Sequence, residues 1–132
     1  MPELKDKCKD KKIIAEMNPP FLPLTQVSVE TLASLLTAPH DLQLVDVREP
    51  AEVAIAQLEG FINLPLSQFE QWSGEIHQHL DPDRETLVLC HHGIRSAQMG
   101  HWLQTQGFTN VKNIAGGIHA YALRVDPTIP QY

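Results

Sequence analysis

The sequence is short of cysteine, of basic residues and of long apolar runs, and each shortage narrows what the chain can be. Two cysteines, Cys8 and Cys90, are too few for a disulfide framework, so a reducing, cytoplasmic setting is expected. Lysine and arginine number 10 against 16 aspartates and glutamates, a formal net charge of −6. Phosphate contacts need clustered cations, so nucleic acid is not an expected partner. No stretch approaches the about 20 apolar residues that span a bilayer, and no membrane partner is expected. The first residues lack the apolar core of a secretory signal, and their acids do not suit an organelle transit peptide. No internal repeat is evident. At 132 residues the chain is expected to form one domain with a real core.

What the sequence does contain is organised around Thr86 to Ser96. Leu87 to Leu89 reads as a buried strand that ends abruptly in the polar turn Cys90-His91-His92-Gly93. Ser96 to Gln106 then carries Met99, Trp102 and Leu103 at helical spacing before Gly107, a helix stopped by a glycine. Cys90 is thereby placed between strand and helix. The first turn of a helix leaves N–H groups unpaired and carries the positive end of the macrodipole, so a thiolate is favoured there, and Arg95 adds a full charge. Gly93 permits the backbone to curl with its amides turned inward.

The remaining chain supplies a scaffold. Met1 to Lys12 holds five of the six lysines and reads as a solvated tail, followed by the extended Pro19-Pro20-Phe21-Leu22-Pro23. The alternative is that these lysines steer anions and that Cys8 resolves Cys90. Ser28 caps a helix with Val29, Leu32, Leu35 and Leu36 on one face. Leu42 to Val47 is an apolar run suited to a parallel strand covered on both faces. Asp46 and Arg48 at its end are read either as a rim of the site or as a surface ion pair fixing the turn. Pro50 opens a short helix to about Gln57, and Gly60 turns into a strand over Phe61 to Asn63. Ser67 and Glu70 stand at capping-box spacing ahead of Phe69, Trp72, Ile76 and Leu80, which predicts one helix with Trp72 in the core. Val111 to Ile114 is a final strand, and Gly116-Gly117 a turn into a helix over Ile118 to Leu123. Strands alternating with helices imply a mostly parallel α/β sheet with helices on both faces. In such sheets ligands gather at the carboxyl ends of the strands, where Cys90 lies.

The segment from Cys90 to Ser96 resembles the active-site loop of rhodanese-type sulfurtransferases, in which a cysteine opens a short loop closing on arginine. Leu44-Val45-Asp46-Val47-Arg48-Glu49, Gly60-Phe61-Ile62-Asn63-Leu64-Pro65 and Asn113-Ile114-Ala115-Gly116-Gly117-Ile118 are similar to that family's other signatures, in the same order. The resemblance implies a rhodanese-like three-layer sandwich over residues 25–126, with residues 1–24 as tail and linker and 127–132 as a second tail. The length falls short of the family's tandem two-domain form. It implies Cys90 as nucleophile, taking a sulfane sulfur from thiosulfate or a persulfide donor and passing it to cyanide, a thiol or a protein acceptor. His91, His92, Gly93, Ile94 and Arg95 would hold the substrate. Two other readings stand beside it: a non-catalytic binding module, and a phosphatase, against which the four residues between Cys90 and Arg95 argue because five are associated with phosphatase relatives. No cofactor is expected. Adjacent residues project in divergent directions, so Cys90, His91 and His92 are not expected to converge on a tetrahedral metal ion. The two imidazoles read as loop lining or as groups tuning the pH dependence of the thiol.

Overall fold

The computed structural model describes residues 23–132; the lysine-rich segment, Cys8 and most of the Pro-rich linker lie outside them. In chain order the elements are β1 (Thr25–Val27), α1 (Val29–Leu36), β2 (Gln43–Asp46), α2 (Pro50–Ile55), β3 (Ile62–Asn63), α3 (Phe69–Trp72), α4 (Ile76–His79), β4 (Thr86–Leu89), α5 (Ile94–Thr105), β5 (Val111–Ile114) and α6 (Gly117–Arg124). Single 3₁₀ turns at Leu66–Gln68 and Ser73–Glu75 flank α3. The five strands form one sheet in the order β1-β5-β4-β2-β3, and every pairing is parallel. This is the α/β architecture that the alternation of strands and helices predicts.

Period-two geometry sorts each strand between two cores. Val45, Val47, Val88 and Cys90 face one side, with Met99, Leu103, Trp72, Ile76 and Phe108. Leu44, Leu87 and Leu89 face the other, with Val29, Leu32, Ile118 and Tyr121. Strands buried on both faces have no polar side to alternate with, hence the unbroken apolar runs. After β2 the chain moves outward to β3 by way of α2, and after β4 it moves the opposite way to β5 by way of α5. The order therefore reverses between β2 and β4, and their carboxyl ends open a crevice there.

Local signals explain most boundaries. The Ser28 hydroxyl accepts from the Thr31 amide at 3.1 Å and caps α1. Gly107, at φ +94°, ends α5 in a Schellman turn: Phe108 N–H reaches the Leu103 carbonyl at 3.1 Å and Gly107 N–H the Gln104 carbonyl at 3.2 Å. Three expectations are corrected. The predicted helix from Ser67 through Leu80 is broken into short turns, because the Ser67 hydroxyl donates to Glu49 rather than capping, and Ser73-Gly74 are weak helix formers in mid-segment. Its apolar side chains keep their core face nonetheless, with Trp72 donating to the Pro65 carbonyl at 2.8 Å. A strand, β1, precedes the first expected element and pairs with β5. Residues 127–132, expected as a tail, lie back on the domain: Ile129 packs on the core and Tyr132 reaches the crevice.

Candidate active site

Cys90 ends the Val88 face of β4 and is 1% exposed. Its Sγ accepts the Gly93 amide at 3.0 Å and lies 3.3 Å from the Ser96 hydroxyl. Gly93, at φ +101°, is the N-cap of α5, and its left-handed backbone turns the chain into the helix while its N–H stays on the sulfur. Sequence reasoning expects a ring of amides around the thiol; on Sγ itself the structure places one backbone donor and one hydroxyl among the described residues. Ser96 was legible as the last residue of the loop segment and the start of a helix, without a role of its own. Its hydroxyl also bonds Oδ1 of buried Asn113, whose amide donates to Gln26 at 2.9 Å and to the Gly93 carbonyl at 3.0 Å. One hydroxyl proton cannot serve both Asn113 and the sulfur. While Asn113 takes it, the serine oxygen faces a thiol as acceptor; an anionic sulfur draws the proton to itself.

The loop rests on the double glycine. The Ile118 and His119 amides, free donors in the first turn of α6, bond the Cys90 and His91 carbonyls at 2.9 and 3.0 Å. Gly117, at φ +62°, makes that approach possible, since a Cβ there would lie 2.4 Å from both carbonyl oxygens.

Arg95 does not point into the loop. It forms a two-pronged pair with Glu52 of α2, at 2.7 and 3.0 Å. Glu52 also accepts the Glu49 amide at 2.9 Å and the Tyr132 hydroxyl at 3.0 Å. The Arg95 bonds are the main reason the Glu52 carboxyl is pulled down to about 2, and Glu52 in turn raises Arg95. Arg95 is thus a tie between α5 and α2 whose charge is already matched, not the free anion magnet its position in the sequence suggests. Each of the five Lys and Arg side chains among the described residues is likewise paired with an acid.

Asp46 and Arg48 form an ion pair, but a buried one instead of the surface pair expected: their side chains are 3% and 0% exposed. Arg48 gives two bonds to Asp46 through Nε, and its Nη2 reaches Asp46 at 2.7 Å and the Ala56 carbonyl at 2.7 Å. Its Nη1 donates to the Tyr132 hydroxyl at 2.8 Å. Burial opposes the charge, yet Asp46 and Tyr132 leave the Arg48 pKa raised. The pair braces the turn after β2, where Asn63 also bonds the Asp46 and Arg48 carbonyls at 2.9 Å.

His91 and His92, expected to diverge, lie with ring centroids 4.0 Å apart and their planes tilted by 33°. His119 stands 4.8 Å from His92, and Tyr132 stacks flat on His91 at 4.0 Å. Burial, then His92, lowers the His91 pKa, which favours the neutral ring. Ile94 is fully at the surface beside the loop, 71% exposed. Glu52, Ser96, Asn113, His119 and Tyr132 were not singled out from the sequence as site residues. Ser96 and Asn113 fell inside quoted segments without a role, and Glu52 left a local trace as the N3 partner of the N-cap Glu49 in a capping box.

Residues 28–124 match the rhodanese-like domain family. A rhodanese-like/PpiC domain-containing protein 12, chloroplastic, of Arabidopsis thaliana is 50% identical over 113 residues, which are 83% of this chain and 38% of that protein's length. A sulfurtransferase of Allochromatium vinosum is 33% identical over 75% of this chain and 89% of its own. Among solved structures, a single-domain sulfurtransferase of Saccharomyces cerevisiae superposes with a TM-score of 0.70 over 83% of this chain and 97% of its own, at 24% identity. With the family matched across most of its length, a parallel sheet of this order and a cysteine loop at the strand-order reversal, the chain belongs to the rhodanese-like domain family.

Proposed function

We propose that the chain is a sulfurtransferase that carries a sulfane sulfur on Cys90. The observation that supports this most is a buried sulfur at the head of α5, accepting the Gly93 amide at 3.0 Å with the Ser96 hydroxyl in reach at 3.3 Å. The Cys90 thiolate attacks the outer sulfur of the donor. With thiosulfate, the Sγ–S bond forms as the S–S bond breaks, and sulfite leaves with the electron pair, giving a persulfide anion. The helix N-terminus, the Gly93 amide and the Ser96 hydroxyl favour that charge in the same place as the thiolate's, so the two anionic states are served by one arrangement. In the second step cyanide, or a thiolate of a small molecule or protein, takes the outer sulfur and the Cys90 thiolate is restored.

Because Glu52 matches Arg95, a doubly charged donor meets little uncompensated positive charge at the described site. This favours a weakly charged persulfide donor over thiosulfate, with thiosulfate a serviceable substitute at high concentration. A phosphatase is the weaker reading, since a phosphoryl dianion needs an uncompensated cation or several inward donors around it. A non-catalytic binding module leaves the placement of Cys90 without a use. The test is thiocyanate formation from thiosulfate and cyanide by the wild type and by C90S, with hydrolysis of a small aryl phosphate measured alongside. Sulfur transfer lost in C90S is expected. Undiminished transfer in C90S, or phosphate hydrolysis outpacing transfer, contradicts the assignment.

A further inference from the structure

The loop and α6 bring together three imidazoles, two of which have a buried ring nitrogen without a partner among the described residues. One nitrogen from each of His91, His92 and His119 can be chosen so that all three lie within 4.8 Å of one another. His91 Nε2 and His119 Nδ1 are buried and have no hydrogen-bond partner among the described residues. Buried polar nitrogens left unpaired carry a desolvation cost, so a site with two of them in one cluster is set up for a ligand that accepts their lone pairs. The backbone is already arranged for it, because the His119 amide bonds the His91 carbonyl at 3.0 Å and fixes the two residues side by side.

We propose that His91, His92 and His119 form a site for a borderline divalent transition-metal ion, of which zinc is the type. Three neutral imidazoles suit such ions, at Zn–N distances of about 2.0–2.1 Å, with a fourth tetrahedral position left open. Nitrogens on a tetrahedral ion stand roughly 3.4 Å apart by that geometry, so each ring closes in by about an ångström. His92 is exposed and free to make most of that movement. The sequence spoke against a metal because Cys90, His91 and His92 are consecutive and no other spaced Cys/His set completes a site. The third ligand comes instead from α6, and Cys90 is not needed. Bound metal would tie the loop that carries Cys90 to the helix whose amides cap it.

The test is isothermal titration of the full chain with zinc, paired with the visible spectrum of the cobalt(II) form. The background is C8S/C90S, so that thiols cannot supply ligands. One equivalent of zinc with a tetrahedral cobalt spectrum is expected. H119A should weaken binding by more than about tenfold, the scale on which even outer-sphere partners of metal sites act. H79A, a histidine outside the cluster, should leave it unchanged. Binding that disappears in the C8S/C90S background, that survives H119A at equal affinity, or that fails in the wild type would overturn the proposal. H119N, which retains a polar side chain in the same place, guards against a misfolded alanine variant and should weaken zinc as H119A does.

Discussion

Adding a single methyl group at Gly117 tests whether the double glycine is what lets the Cys90 loop sit where it does. Gly117 has φ +62°, where an L-residue costs about 1–2 kcal/mol. The new Cβ would also meet the Cys90 and His91 carbonyl oxygens at 2.4 Å and the His91 carbonyl carbon at 2.6 Å. These are backbone atoms held by the Ile118 and His119 amides, so relief means breaking one or both bonds, each worth about 0.5–1.5 kcal/mol. Together the strain and the lost bonds put G117A at about 1.5–5 kcal/mol of destabilisation, a sizeable share of the 5–15 kcal/mol typical of a domain and about 5 °C or more in Tm. Gly74 provides the matched control. Its φ is not positive and nothing lies within 4 Å of where a Cβ would go, so G74A should be neutral or stabilising by about 0.5–1 kcal/mol. Urea unfolding of both variants, followed by tryptophan fluorescence, reads the difference directly. G117A within about 0.5 kcal/mol of G74A would show that the loop is not pressed against α6, and the account of its positioning would be wrong.

Three other outcomes follow from the same contacts. E52Q uncouples Arg95, so KM for thiosulfate should fall by roughly three- to tenfold as a free cation appears, while kcat falls because α5 loses its tie to α2; steady-state kinetics with both constants moving upward would contradict this. The Glu52 carboxyl sits at about 2 in the fold against an ordinary 4.5, so its contribution is complete above pH 4.5 and is lost as pH falls towards 2. At neutral pH that contribution is about 1–2 kcal/mol after screening, and E52Q should flatten the acid limb of a stability–pH curve by this amount. R48M strands the Asp46 carboxylate in the core and should cost about 3–5 kcal/mol, whereas the double variant D46L/R48M should recover most of it; equal losses in the two, by chemical unfolding, would mean that the pair is not acting as a buried unit.

Much of this was legible because local rules carried it. The apolar runs at β2 and β4, the Ser28 cap, Pro50 at the head of α2 and the glycines after α5 and before α6 each announce a boundary by a mechanism confined to a few residues. The position of Cys90 between a strand and a helix was of the same kind. What escaped the sequence depends on contacts between distant segments. Glu52 lies 43 positions before Arg95, and Tyr132 lies 84 beyond Arg48, so nothing in spacing could join them. The same distance hid His119, which is brought to His91 only by the fold of α6 onto the loop. Arg48 read as a surface residue because arginine usually is one, and only its full set of partners makes burial tolerable. The helix expected from Ser67 to Leu80 failed for a tertiary reason as well, since Glu49 claims the serine that would have capped it.

The central claim is that Cys90 holds the transferred sulfur, and intact-protein mass spectrometry after brief exposure to thiosulfate tests it most directly. The account predicts one added sulfur atom, mapped by peptide analysis to Cys90 and not to Cys8, absent in C90S and discharged by cyanide as thiocyanate. A protein that turns over sulfur while Cys90 stays unmodified, or one whose added sulfur maps to Cys8, would contradict it.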